Sequence, residues 1–459
     1  MDLLRSSSRF SINRFIHPHC SSTTLRNSSR FLTVRSTLPF PLQKAKYHRE
    51  LQAAVDVVEK ACRLCVDVKK SLFSSDGRIL EKNDQTPVTV ADFGVQALVS
   101  LELGRLFPSI PLVAEEDSAF IRSNLLADSV VNAVTDKASV GDKALTHDDV
   151  LEALDRGGKD AFAFGAKPAT YWVLDPIDGT KGFLKGSEAL YVVGCSSLIY
   201  SCDYDVWSSE AKKGQNCVGD YNICQKLVKL LITGCLKVGL ALVVEGEIVS
   251  GVMGCPNWQE DIYNKSATGV KEHKTGLSGS GIIMVAHVGC GTWTKRLPDM
   301  LVSMATRSNG WSRCFVDGCR MVQEARFCIS DSQTWESLPL SILFSSTTNA
   351  DSVGVKQVLL IPTYCGSLCK YLMVASGRAS VFILKARTQT VIKAWDHAVG
   401  MICIHEAGGK VTDWKGSQLD LAADQAERRL IFPSGGVLVT NGNLHNQILE
   451  MISAGSSVV

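Results

Sequence analysis

The reading of this chain turns on one stretch, Tyr171-Trp172-Val173-Leu174-Asp175-Pro176-Ile177-Asp178-Gly179-Thr180. The apolar run Tyr171–Leu174 has the character of a buried strand, and it passes directly into two carboxylates three residues apart. Carboxylates at a turn that opens a helix can converge on a hard cation. Magnesium takes about six oxygens at roughly 2.1 Å and keeps several waters, so carboxylates and phosphate oxygens suit it. The N–H groups of Gly179, Thr180 and Lys181 at a helix start would receive a phosphate. A plainer reading is turn chemistry, because Asp-Pro and Asp-Gly are common breakers. These residues alone leave the two readings level.

Working outward, three more acidic positions stand at the ends of predicted elements. Glu115-Glu116-Asp117 closes a predicted strand over Ile110–Ala114, where a solvated loop is the plain alternative. Thr86–Asp92 opens a helix running to about Leu106, and Thr89 and Asp92 have capping-box spacing, which by itself would account for Asp92. Asp396 follows Trp395 at the start of a helix over Trp395–Glu406, where an acid also suits the helix dipole.

The remaining periodicities predict a long amphipathic helix from Tyr47 to about Leu72, and a weakly periodic excursion over 123–168 with some helix near Asp148–Leu154. Downstream, strands over Gly281–His287, Val358–Ile361, Ser380–Leu384 and Val437–Thr440 alternate with helices over Ser367–Ala375, Trp395–Glu406 and Leu444–Ile452. That alternation predicts an α/β arrangement. Residues 296–356 have no legible pattern.

One segment breaks the order. Ala189–Gly194 and Leu240–Val244 read as two halves of a single strand, followed by a turn at Glu245-Gly246-Glu247 and a strand over Ile248–Gly254. Between the halves lie 45 residues, Cys195–Gly239, with five of the sixteen cysteines. An insertion of this size inside a strand conflicts with ordinary loop lengths and reads as a coding-sequence error or a retained splice segment. Lys237-Val238-Gly239 nearly repeats Val192-Val193-Gly194, so the second copy could complete the strand while the rest loops out.

The chain has 459 residues, 45% of them hydrophobic and 20% charged, which is enough for two domains with a sizeable core. The net charge of +2 conceals an asymmetry. Residues 1–46 hold eight of the 48 basic side chains and one of the 46 acidic ones, leaving 40 basic against 45 acidic in the body. An acidic body excludes a broad nucleic-acid surface. The leader, rich in Arg, Ser and Thr, has the composition of a disordered organelle transit peptide. Arginines at helical spacing lean to the mitochondrion, and the Ser/Thr content keeps the chloroplast open. The apolar run 227–244 contains Lys229, Gly234 and Lys237 and does not read as a membrane span. The cysteines are scattered without zinc-site spacing; Cys62 and Cys65 fall on the apolar face of the first helix, and reduced thiols are expected. His397 and His405 read as structural, since His405-Glu406 lacks the second histidine of a zinc helix.

Taken in order, PVTVADFGVQAL, VAEEDS, VLDPIDGTKGF and WDHAVG with HEAGGKVTD resemble the motifs of the magnesium-dependent, lithium-sensitive phosphomonoesterases, the superfamily of inositol monophosphatase and fructose 1,6-bisphosphatase. DGT followed by KGFLKG, together with Ser367-Leu368-Cys369-Lys370-Tyr371, most resembles its 3′(2′),5′-bisphosphate nucleotidase branch. The resemblance implies a layered αβαβα sandwich, with an N-terminal α+β domain over 47–295 and a C-terminal α/β domain over 296–459. It implies two or three Mg²⁺ ions on Glu115, Asp175, the Ile177 carbonyl, Asp178 and Asp396, with Asp92 and Thr180 activating water. It also implies a small phosphorylated nucleotide as substrate, with neither a nucleic-acid polymer nor a membrane as partner. Gly179, Thr180, Gly291, Thr292, Ser367 and Lys370 would contact that substrate. The expected activity is hydrolysis of the 3′-phosphate of 3′-phosphoadenosine 5′-phosphate, with inositol phosphate hydrolysis, or a product impaired by the insertion, as alternatives. Two departures concern the substrate end. Leu384-Lys385 stands where the branch has a phosphate-binding arginine, and residues 310–345 offer no match to its base-contacting histidine. A lysine cannot reproduce a bidentate guanidinium grip.

Overall fold

The computed structural model describes residues 38–71, 80–81, 87–124, 126–138, 145–179, 236–258, 281–297, 310–330, 333–341, 359–363, 365–387 and 391–456. The described residues form one compact unit. In chain order the helices are α1 (His48–Ser71), α2 (Val90–Leu106), α3 (Ser118–Ser123), α4 (Ala127–Thr135), α5 (His147–Asp155), α6 (Ser367–Ala375), α7 (Trp395–Glu406) and α8 (His445–Ser456). The first strands are β1 (Leu80–Glu81), β2 (Pro87–Val88), β3 (Leu112–Ala114), β4 (Tyr171–Asp178), β5 (Lys237–Val244), β6 (Glu247–Cys255), β7 (Ile282–His287), β8 (Gly291–Arg296) and β9 (Ser312–Cys314). They are followed by β10 (Arg326–Ser330), β11 (Leu359–Thr363), β12 (Val381–Lys385), β13 (Ile392–Lys393), β14 (Lys410–Asp413), β15 (Leu430–Ile431) and β16 (Gly436–Thr440).

Two sheets carry the architecture. The larger has the order β3-β4-β5-β6-β7-β8-β9, with β3 and β4 parallel and every later pair antiparallel. The smaller has the order β11-β10-β12-β16-β14, mixing parallel and antiparallel pairs. Alternation along the strands sorts the core into layers. Trp172 and Leu174 of β4 face the cluster that holds Leu51, Val55 and Val58 of α1 and Phe93 and Ala97 of α2. Tyr171 and Val173 face the opposite way, toward Leu368 and Leu372 of α6 and Val399 and Ile402 of α7. Phe382 of β12 shares that middle layer, while Val381 and Ile383 turn outward to Ile448 and Ile452 of α8. The result is the expected αβαβα sandwich.

Most predicted elements stand within a few residues of their expected bounds, and Ser367–Ala375 and Trp395–Glu406 match their predicted ends. The differences have physical causes. The weakly periodic excursion contains a second helix, α4, whose Val130, Val131 and Val134 make a stripe too short to stand out. The illegible stretch contributes β10, which lies between β11 and β12 with Phe327, Cys328 and Ile329 buried. A strand covered on both faces has no polar alternation to betray it.

Two boundaries move. Residues 237–239, counted within the insertion, are strand residues: β5 begins at Lys237, and Gly239 pairs with Asp175. The repeated Lys237-Val238-Gly239 therefore completes the strand. Gly239 fits because a Cβ there would lie 2.5 Å from Leu368 Cδ1 and 2.9 Å from Val399 Cγ1. The half-strand expected over Ala189–Gly194 lies outside the described residues. The leader, read as reaching residue 46, ends earlier as a structural unit, since Leu38, Phe40 and Ala45 are buried in the first core cluster. Ten cysteines among the described residues are free thiols, and Cys62 and Cys65 are buried as core residues. No described helix is long and apolar enough to cross a membrane.

Candidate active site

In a regular strand, residues three apart point to opposite faces. β4 escapes that rule at Pro176-Ile177, where its pairing with β5 jumps from Asp175–Gly239 to Asp178–Lys237, so that one β4 residue is left over. A bulge of this kind re-aims a side chain. Asp175 and Asp178 thereby share one side of the sheet, facing the start of α7, whose second residue is Asp396. Oxygens of Asp175, Asp178 and Asp396 all lie within 4.8 Å of one another.

This cluster is short of partners. Both oxygens of Asp175 and Oδ2 of Asp178 are buried and have no hydrogen-bond partner among the described residues. Burial pushes the Asp175 carboxyl well above its ordinary range, and Asp178, Asp396, Glu115 and Asp92 push it further in the same direction. Burial likewise raises Asp396, reinforced by Asp178 and Glu115. Asp178 is raised to about 6 by burial, against the opposing pull of Lys237, Lys370 and a hydrogen bond from the Leu368 N–H. Unpaired buried carboxylate oxygens are costly unless a cation compensates them. The donor set is all oxygen, which suits a hard divalent ion such as magnesium. Asp396 is half-buried, and so is Glu115, giving the cluster its open side.

All the expected site residues but Thr180 are among the described residues. Glu115 follows β3, next to β4, and its carbonyl accepts from Arg429, whose guanidinium lies 4.9 Å over the Trp395 ring. Ile177 is buried in the bulge. Asp92 does cap α2: its Oδ2 accepts the N–H and the hydroxyl of Thr89, both at 2.8 Å. Asp92 is also buried and acts electrostatically on Asp175, so capping and membership of the acidic neighbourhood coexist. Gly179 follows the strand with φ 88° and abuts Gly366, the residue before α6. Ser367 is the first residue of α6. Thr180, expected to work with Asp92, lies outside the described residues.

Three expected substrate contacts are placed differently. Gly291 N–H donates to Glu406 at 2.7 Å, and the Thr292 hydroxyl donates to the Cys403 carbonyl at 2.7 Å. Both partners belong to the last turns of α7, seven or more residues beyond Asp396 and so on the order of 10 Å along the helix. The glycine-rich hairpin is thus pinned to the end of α7 opposite the cluster. Lys370 is buried, its Nζ donating to the Cys365 and Gly366 carbonyls at 2.6 and 3.1 Å, so it holds the turn before α6. Lys385 Nζ donates to the Ser337 carbonyl at 3.0 Å. His397 bonds the Tyr371 hydroxyl at 2.9 Å, and burial lowers it to about 3, so it is a neutral core group.

Sequence reasoning missed Gly366 and Lys237. Asp178 occupies the space where a Cβ on Gly366 would stand, and Gly366 precedes the recognised Ser367. A glycine in that position was the available signal. For Lys237 the repeat of Val192-Val193-Gly194 was the only signal.

A triad of carboxylates, two of them buried, between a bulged strand and a helix start, inside an αβαβα sandwich, defines a candidate metal-dependent phosphatase. The chain belongs to the inositol monophosphatase family, whose model matches residues 43–456. It is 56% identical, over 99% of both chains, to an Arabidopsis thaliana protein named, provisionally, a mitochondrial 3′(2′),5′-bisphosphate nucleotidase. It is 30% identical to the Arabidopsis thaliana 3′,5′-bisphosphate nucleotidase AHL, over 88% of this chain and 96% of that one. Among solved structures it is similar to a Thermotoga maritima IMPase at 16% identity and a TM-score of 0.46, covering 89% of this chain and 98% of that one, a likeness too distant to carry weight.

Proposed function

We propose that this chain is a magnesium-dependent phosphomonoesterase that hydrolyses the 3′-phosphate of 3′-phosphoadenosine 5′-phosphate, giving AMP and inorganic phosphate, in the mitochondrion. The observation that carries the metal-dependent chemistry is the convergence of Asp175, Asp178 and Asp396 with three buried oxygens lacking partners. The nucleotide substrate and the compartment rest on the named relatives.

In this reading Asp175, Asp178, Asp396, Glu115 and the Ile177 carbonyl hold two or three magnesium ions. Bound magnesium would neutralise phosphate charge and acidify the attacking water. The chain's own groups do the rest. The N–H groups of Gly179 and Thr180 hold phosphate oxygens as negative charge shifts among them. In this reading the Thr180 hydroxyl would relay the proton, accepting it from the water as it passes its own to the Asp92 carboxylate while the water oxygen bonds to phosphorus. The P–O bond to the ribose 3′-oxygen breaks with its electron pair on that oxygen, which takes a proton from a solvent water and leaves as a hydroxyl. The two Thr89 bonds fix Asp92 at the foot of α2, so its orientation is set before substrate arrives. Ser367 would contact the nucleotide, with Lys370 shaping that contact from beneath. Gly291 and Thr292 take no part.

The test is phosphate release by residues 37–459 from 3′-phosphoadenosine 5′-phosphate and from inositol 1-phosphate, with magnesium or with chelator. Magnesium-dependent release, faster from the nucleotide, is expected. Faster turnover of the inositol ester would replace the nucleotidase reading, and no release from either would end the phosphatase reading.

A further inference from the structure

We propose that Lys237 is a resident counter-cation of the acidic cluster and that it weakens magnesium binding there. The inference rests on the metal-binding reading above but not on the identity of the substrate. Lys237 and Asp178 are directly paired across β5 and β4, so their side chains share a face and their Cβ atoms stand about 4.5–5.5 Å apart. Strand parity gives the same answer independently. Gly239, two residues on, faces Leu368 of α6 and Val399 of α7, so Lys237 faces α6 and α7 as well.

Lys237 is 0% exposed. A lysine is almost never fully buried without a compensating partner, and the acid facing it is Asp178. Lys370, also buried near the cluster, has its Nζ bonded to the Cys365 and Gly366 carbonyls. In a desolvated pocket a fixed positive charge beside a carboxylate repels an arriving divalent ion far more than it would in water.

The charge belongs to the insertion. In the repeated triplet, Lys237-Val238-Gly239 stands in the place of Val192-Val193-Gly194. Joining Gly194 to Leu240 would put a glycine back opposite Asp175 and a valine, Val192, opposite Asp178. The two forms of the chain would share a sheet and differ by one buried positive charge at the cluster.

The experiment measures magnesium binding to metal-free residues 37–459, by calorimetry and by the magnesium concentration giving half the thermal stabilisation. Three proteins are compared with the parent chain: Lys237→Met, Lys237→Arg and the chain lacking residues 195–239. We expect Lys237→Met and the deletion to bind magnesium at least tenfold more tightly, and Lys237→Arg to bind within about threefold of the parent. Circular dichroism identifies the variants that fold; should Lys237→Met not fold, the deletion decides. Equal or weaker magnesium binding by the folded neutral variants would overturn the proposal. Magnesium binding by none of the proteins would overturn the metal reading and the proposal together. Tighter binding without nucleotide hydrolysis would uphold the proposal and count against the substrate reading alone.

Discussion

The Asp178 carboxylate occupies the space that a side chain on Gly366 would need. A residue at the end of β4 and the residue before α6, 188 positions apart in sequence, are thereby locked in contact. The Leu368 N–H donates to the same carboxylate, so the start of α6 orients one of the proposed metal ligands. Substituting Gly366→Ala should push Asp178 aside. We expect magnesium affinity to fall about 10–100-fold, the effect typical of disturbing a ligand's support. Stability should fall by about 1–3 kcal/mol from overpacking. Calorimetric magnesium titration and thermal melts check the two effects separately.

Asp175 carries two buried oxygens without partners, so its charge burdens the metal-free fold. Asp175→Asn should raise stability in chelator by about 1–3 kcal/mol. The same substitution should abolish magnesium-induced stabilisation and lower phosphate release by more than about 100-fold. Melting curves with and without magnesium, beside the phosphate assay, would show this inversion; a variant that is stabilised by magnesium as the parent is would remove Asp175 from the ligand set.

His445 reports on acid stability away from the site. It is buried between the hydroxyls of Thr412, at 3.0 Å from Nε2, and Thr440, at 2.9 Å from Nδ1. Burial, helped by Lys410, lowers its pKa to about 4. The unfolded chain therefore binds a proton at a pH where the native protein does not, and native stability falls as pH drops. The contribution is complete above about pH 6.5 and is lost progressively down to about pH 4. Between pH 7 and pH 5 this group should account for about 1–2 kcal/mol of lost stability. Urea unfolding of parent and His445→Gln at both pH values should show a smaller loss in the variant.

The N-terminal boundary can be tested by truncation. Removing residues 1–36 should leave the melting temperature unchanged, because it keeps the buried Leu38, Phe40 and Ala45. Removing residues 1–46 takes away the buried Leu38, Phe40 and Ala45, and should cost about 2–4 kcal/mol. Equal melting temperatures for the two truncated chains would contradict the packing of this segment.

Periodicity predicted an α/β arrangement, and the resemblance of four motifs to a known family implied the layered fold and its acidic residues. α6 and α7 were legible as apolar runs of helical length with local end signals, such as Gly408-Gly409 after α7, although both are buried nearly all round. β10 was not, because a strand buried on both faces owes its place to neighbours distant in sequence. The three aspartates could be named from the Asp175-Pro176-Ile177-Asp178 and Trp395-Asp396 motifs, but three-residue spacing on a strand predicts opposite faces. The bulge against β5 brings two of them together, and the approach of α7 adds the third. Gly291, Thr292 and Lys370 show the opposite outcome: the Gly291 N–H and the Thr292 hydroxyl, which a motif would assign to substrate, are engaged with α7, and the Lys370 side chain with the turn before α6. The sequence determined most of the elements and named the acidic residues proposed for the site, since those depend on local patterns. Tertiary structure alone decided which carboxylates share a pocket, and that Lys237 completes a strand and faces Asp178, because burial and charge at a point depend on every chain segment that meets there.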